Sequence, residues 1–157
     1  MKILLGSDHA GLRLKEEIER HLDARGIQVE DFGTYDDTSV DYPDFARMVA
    51  GGVSRGEADR GILVCGSGVG MSVVANKFPH VRAALVTGVE VAAQSRAHVD
   101  ANVLVFGEKY TPVDVALKAL DTWLDTRFEG GRHERRVEKI SAIEKEIVEE
   151  IIRRNSR

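Results

Sequence analysis

The chemical capacity of this chain is concentrated in one thiol and the loop that follows it. Cys65 is the only cysteine, and it closes the apolar run Gly61-Ile62-Leu63-Val64. Gly66, Gly68 and Gly70 follow on alternate positions, with Ser67 and Val69 between them. Met71 to Lys77 then reads as a helix. A buried strand that empties into a glycine loop and a helix start can aim several backbone N–H groups at one point. A thiol at the edge of that point can move a proton while the loop holds the resulting negative charge. The helix start also favours the thiolate. Two plainer readings stand beside this one. A lone cysteine is often a small buried apolar residue, and alternate glycines can serve close packing alone.

The glycine spacing excludes the common nucleotide and hydrolase motifs. A dinucleotide fingerprint needs glycine at position 71, which is Met71. No Gly-Lys-Ser/Thr follows at the spacing of a phosphate-binding P-loop. A nucleophile elbow around Ser67 needs glycine at positions 65 and 69, which are Cys65 and Val69.

Five histidines and a basic cluster complete the inventory. His21 and His80 read as surface residues. His9 follows the first expected strand and His98 stands just before the fifth, which puts both at the sheet edge expected for Cys65. Gly131-Arg132-His133-Glu134-Arg135-Arg136 carries Arg132 and Arg136 at i,i+4, so two guanidinium groups on one helix face can converge on one phosphate. The plain alternative is a solvated charged helix start. No His, Cys or carboxylate pair reads as metal-ligand spacing, so neither metal nor cofactor is expected.

These parts fit aldose–ketose isomerisation of a sugar phosphate. That reaction needs an anion clamp, a group that opens the sugar ring, a base for a carbon-bound proton, and donors for the enediolate oxygen. The arginine pair, the histidines, Cys65 and the Gly66–Gly70 loop supply them in turn. The Ser67 hydroxyl adds a hydrogen bond to the enediolate or the thiolate.

The elements that must position these groups alternate along the chain. Strands are expected at Lys2–Gly6, Ile27–Gly33, Gly61–Cys65, Arg82–Val86 and Ala101–Phe106. Between them lie helical patterns, the first with Leu12, Ile18 and Leu22 on one side and Arg13, Lys15 and Glu16 elsewhere. Asp41-Tyr42-Pro43-Asp44 starts a second helix, with Pro43 in its first turn. Glu90–Ala97 and Pro112–Leu124 give two more helices. This alternation predicts an α/β fold with a five-stranded parallel sheet covered on both faces. With 157 residues and no linker or repeat, one domain over 1–157 is expected. From about residue 132 to 157 a long C-terminal helix carries Val137, Ile140, Ile143, Ile147 and Ile151 as a stripe. The stripe either folds back on its own domain or lies across a partner, and the partner is preferred because the sheet faces are already covered.

A net charge of −4 argues against general binding to nucleic acid or to an anionic membrane. No apolar run reaches the roughly 20 residues of a membrane span. A single cysteine and no signal pattern point to the cytoplasm.

Several segments together resemble the type B ribose-5-phosphate isomerases, a family that also contains galactose-6-phosphate and allose-6-phosphate isomerases. They are Gly6-Ser7-Asp8-His9-Ala10-Gly11, Asp41-Tyr42-Pro43-Asp44, Cys65-Gly66-Ser67-Gly68-Val69-Gly70, Ala101-Asn102-Val103-Leu104 and Glu129 to Val137. The resemblance implies a Rossmann-like three-layer sandwich that works as a homodimer, with sites shared between subunits and with no metal or cofactor. It leaves open whether dimers pair into tetramers. It implies Cys65 as the base, His98 as the ring-opening group, and Asp8 on a sugar oxygen. His9, Arg132 and Arg136 would hold the phosphate. Three positions depart from the family pattern. Ser67 stands where threonine is common, Val99 where asparagine is usual, and Lys109 where arginine is frequent. Val99 leaves the choice between five- and six-carbon sugar phosphates open. A sensor that binds a sugar phosphate without turnover is the alternative from another class.

Overall fold

Alternate residues of a strand face opposite sides of a sheet, and in this chain both sides are apolar. The computed structural model describes residues 1–156. Strands β1 (Lys2–Ser7), β2 (Gln28–Asp31), β3 (Arg60–Cys65), β4 (Ala83–Leu85) and β5 (Val103–Gly107) form one parallel sheet in the order β2-β1-β3-β5-β4. The helices are α1 (Leu12–Ala24), α2 (Tyr42–Ser54), α3 (Val69–Ala75), α4 (Val89–Val99), α5 (Val113–Asp125) and α6 (Arg132–Asn155). Ile3, Leu5, Ile62, Val64, Leu104 and Phe106 pack against Leu14, Ile18 and Leu22 of α1 and Leu120 and Trp123 of α5. Leu4, Leu63, Cys65, Val103 and Val105 pack on the other face against Ala46, Val49 and Ala50 of α2 and Met71 and Ala75 of α3. The result is the expected α/β three-layer sandwich with a long C-terminal helix. Among the described residues no helix is long and apolar enough to cross a membrane.

Two features of this frame position the site. First, β3 is the central strand, and the chain leaves β1 toward one neighbour and β3 toward the other. The loops after β1 and β3 therefore flank a crevice at the carboxyl edge of the sheet. Second, α6 leaves the sandwich. It touches α4 near its start, and Glu144 accepts the backbone N–H of His80 at 2.9 and 3.0 Å. Its Ile140, Ile143, Ile147 and Ile151 remain 47%, 56%, 52% and 52% exposed. They overlook a groove of about 660 Å³ whose opposite wall includes Val81 and, from the edge strand β4 itself, Ala83 and Ala84.

The structure corrects the reading of α1. Lys15 was expected away from the apolar side of the helix, yet it is 1% exposed and is paired with Asp31 at the end of β2. Its ammonium also lies 5.3 Å from the centre of the Tyr35 ring. The buried stripe runs through Leu14, Ile18 and Leu22, with Lys15 beside it, because α1 packs over the end of β2 and brings the long side chain to Asp31. A buried ammonium without its carboxylate is worse than no ion pair at all. Asp31→Asn should therefore lower unfolding stability by about 3 kcal/mol. Adding Lys15→Met to that variant should recover part of the loss. Urea unfolding of the three proteins measures this, and a double variant weaker than Asp31→Asn would contradict it.

Candidate active site

At the carboxyl end of β3 the thiol sits where the chain turns. Cys65 is 4% exposed, and its Sγ accepts the backbone N–H of Gly68 at 3.1 Å. That bond stabilises negative charge on sulfur. Gly68 holds φ at +77°, and a Cβ there would press on the backbone of Phe106 and Gly107. Glycine is required at this position on both counts. The Ser67 hydroxyl oxygen accepts the N–H of Val69 at 3.3 Å, which leaves its own proton free to donate. Gly70 lies in the first turn of α3, beside the ring of Tyr42. Val69 is exposed.

Neighbouring loops hold this turn in place. Glu108 and Lys109 donate their N–H groups to the carbonyls of Cys65 and Gly66, at 2.9 and 3.1 Å. The Lys109 stem lies over Gly66, with its ammonium beside the loop. Across the crevice, Asp8 donates its backbone N–H to the Val64 carbonyl at 3.3 Å, which ties the loop after β1 to β3. The Asp8 carboxylate accepts the Ala10 N–H at 3.0 Å. Burial pushes this carboxyl above the usual range, against the opposing pull of His9 and the backbone N–H groups of Ala10 and Gly11. His9 Nδ1 accepts the Val40 N–H at 3.2 Å. The proton of the neutral ring is therefore on Nε2, and this nitrogen is a donor for an anion.

The remaining expected residues lie elsewhere. His98 was placed at the same sheet edge as Cys65, and the structure overturns that. A residue just before a strand of a parallel sheet lies at the amino edge, and Cys65 lies at the carboxyl edge. Cys65 is paired with Gly107, six residues beyond Ala101, or about 20 Å of extended strand. His98 belongs to the last turn of α4, where the Ala101 N–H donates to the Ser95 carbonyl at 2.9 Å. Arg132 and Arg136 start α6 beside it, and both are exposed. A single chain thus holds two half-sites. One contains Asp8, His9, Cys65, the Gly66–Gly70 loop and Lys109. The other contains His98, Arg132 and Arg136.

Reading the sequence missed what joins the second half. His133 stacks on His98, with ring centres 4.2 Å apart and planes 1° from parallel. Its Nε2 lies 3.3 Å from Arg132 Nε and 3.5 Å from Glu129 Oε2. Glu129 also lies 4.0 Å from His98 Nε2. The i,i+4 spacing of Glu129 and His133 was the available signal. His98, Glu129 and His133 bring possible metal-ligand atoms within 4.8 Å of one another. The cluster is poorly built for a cation. Stacked rings direct their lone pairs along parallel planes, and Arg132 already faces His133 Nε2.

Known proteins share both the sequence and the fold of this chain. A family profile described as Ribose/Galactose Isomerase matches residues 3–140. Ribose-5-phosphate isomerase B of Escherichia coli (strain K12) is 48% identical over 143 residues, which span 91% of this chain and 96% of that protein. Ribose-5-phosphate isomerase B of Clostridium thermocellum, a solved structure, superposes with a TM-score of 0.92 at 53% identity, covering 94% of this chain and 99% of that one. The enzyme of Mycoplasma genitalium, solved with bound ribulose 5-phosphate, superposes with a TM-score of 0.89 at 45% identity, covering 92% and 97%.

Asp8 carries a testable conflict between site and fold. Its raised folded-state pKa means that the folded protein binds the proton more tightly than the unfolded chain. The ionised carboxylate therefore lowers stability above its folded pKa, and the penalty is absent below the ordinary carboxylate range near about pH 4. Asp8→Asn keeps the acceptor for Ala10 and removes the charge. Its melting temperature should exceed the parent's at pH 7 and converge with it at about pH 4. A variant that melts lower at pH 7 would contradict the burial argument.

Proposed function

The chain belongs to the ribose/galactose isomerase family, and on that premise we propose that it interconverts ribose 5-phosphate and ribulose 5-phosphate through an enediolate. The observation that carries this reading is the thiol held on the Gly68 N–H, with Asp8 and His9 on the neighbouring strand end. Such a site has a base, a developing-anion cradle and a polar wall. The bound ribulose 5-phosphate of the Mycoplasma genitalium relative supports the same substrate class.

The steps follow from the donors and acceptors. The Cys65 thiolate removes the proton from C2 of the open-chain aldose and becomes the thiol. The electron pair moves through C1 to the carbonyl oxygen, giving the cis-enediolate. Backbone N–H groups of the Gly66–Gly70 loop and the Ser67 hydroxyl hold that oxygen. The O2 proton then passes to O1, the thiol returns its proton to C1, and the electron pair left on O2 forms the C2 carbonyl of the ketose. Asp8 hydrogen-bonds a sugar hydroxyl. His9 Nε2–H, Arg132 and Arg136 bind the phosphate, with Lys109 adding charge at the loop. His98 moves protons between the ring oxygen and the anomeric hydroxyl to open the cyclic sugar.

A homodimer completes the site. One copy contributes the thiol half and its partner contributes the half containing His98, Arg132 and Arg136. The exposed isoleucines of α6, facing an apolar groove along β4, support such pairing, since a second copy would bury them. Each copy is one isomerase domain over 1–157. This reading assigns the reaction to the pentose phosphate pathway, and the single cysteine supports a cytoplasmic location.

Two measurements test this. Cys65→Ala should lower kcat for ribose 5-phosphate by about a thousandfold or more while leaving binding of the sugar phosphate nearly unchanged. A variant as active as the parent would refute the thiol as base. Side-by-side kcat/KM for ribose 5-phosphate, allose 6-phosphate and galactose 6-phosphate, with no added metal, should rank ribose 5-phosphate first. A six-carbon sugar in first place would refute ribose 5-phosphate as the preferred substrate.

A further inference from the structure

His133 has a built place in the structure and no part in the steps above. It is 5% exposed. Its Nε2 faces two neighbours, Arg132 Nε at 3.3 Å and Glu129 Oε2 at 3.5 Å. One nitrogen cannot serve both. Arg132 only donates, so its bond requires a bare lone pair on Nε2. The Glu129 carboxylate only accepts, so its bond requires a proton there. The charged groups facing the ring are His98 from α4, Glu129 from the connection ahead of α6, and Arg132 and Arg136 from α6 itself. Burial, then His98 and Arg132, push His133 below the usual histidine range, with Glu129 opposing and Arg136 adding to the shift. At neutral pH the ring is uncharged and its Nε2 can accept from Arg132. The connection carrying Glu129 is itself fixed to α4, since its N–H donates to the Ala97 carbonyl at 3.1 Å.

Resting on the isomerase reading above, we propose that His133 is a positioning residue that joins the ring-opening group to the phosphate grip. Its Nε2 lone pair orients Arg132 through Nε, which leaves the two terminal nitrogens of the guanidinium to fork onto a phosphate. Its face holds the His98 ring by stacking. Protonation turns Nε2 toward Glu129, releases Arg132 and places a positive charge against the His98 ring. The phosphate grip therefore weakens as pH falls through the titration of His133.

Two variants separate the ring from its lone pair. His133→Phe keeps a flat ring for His98 and no acceptor for Arg132. His133→Gln keeps an acceptor in Oε1 and no ring. KM and kcat for cyclic ribose 5-phosphate are measured for both and for the parent from about pH 5.5 to 8. His133→Phe should raise KM about tenfold with kcat within about twofold, and should lose the acid-side rise in KM that the parent shows. His133→Gln should keep KM near the parent's and lower kcat. Equal changes in kcat and KM, or a Phe variant with the parent's KM and acid-side rise, overturn the proposal. Nitrogen NMR of the parent needs no variant. Nε2 of His133 should be unprotonated at about pH 7 and should shift when inorganic phosphate is added. A protonated Nε2 overturns the proposal. A parent that turns over no sugar phosphate refutes the isomerase reading instead, and the NMR result still decides the role of His133.

Discussion

All five strands of the sheet run in one direction, and that polarity divides the chemistry of this chain. Every strand ends at one edge and begins at the other. Cys65 ends a strand, and Asp8, His9, the glycine loop and Lys109 follow strands, so they collect at the carboxyl edge. His98 precedes a strand and Arg132 opens a helix packed against the end of α4, so they collect on the other side. No rotamer change moves a group about 20 Å along a β-strand. One chain keeps the two half-sites apart, and the proposed site takes its second half from another copy. The sheet's polarity and the exposed face of α6 therefore favour the same outcome.

Within the thiol half, rigidity comes from backbone contact. The loop after β3 is tied to the loop after β5 through Glu108 and Lys109, and to the loop after β1 through Asp8. A Cβ at Gly107 would collide with the carbonyl group of Ser67, so these loops touch at main-chain distance. Donors fixed in this way need no reorganisation when charge develops on the substrate. Burial of Asp8 works against stability for the same reason. The Asp8 carboxylate, proposed above to hold a sugar hydroxyl, is buried and lacks the water it would otherwise have.

The alternation of apolar strands and helices was legible in the sequence, because period and glycine punctuation report local structure. The gathering of the thiol, the glycine loop and His9 was legible too, since strand ends of a parallel sheet meet at one edge, whereas Asp8 was singled out only by the family resemblance. His98 was assigned to the wrong edge. Its distance from Cys65 along the chain says nothing about strand direction, and the residue before a strand was treated like the residue after one. Lys15 was misread because a lone buried lysine has the same helical position as a solvated one until Asp31 is brought beneath it. His133 was invisible for a similar reason. Its partner His98 lies on another helix, and only Glu129 at i,i+4 gave a local sign.

The division of the site between two copies is tested most directly by a mixed dimer. Cys65→Ala and His98→Asn chains carrying different tags are coexpressed, and the species with one of each is isolated. In that dimer one composite site carries both lesions and the other carries none. Its kcat should be about half the parent's, although each homodimer is nearly inactive. A mixed dimer as inactive as the two homodimers would mean that Cys65 and His98 act within one chain, and would contradict the account.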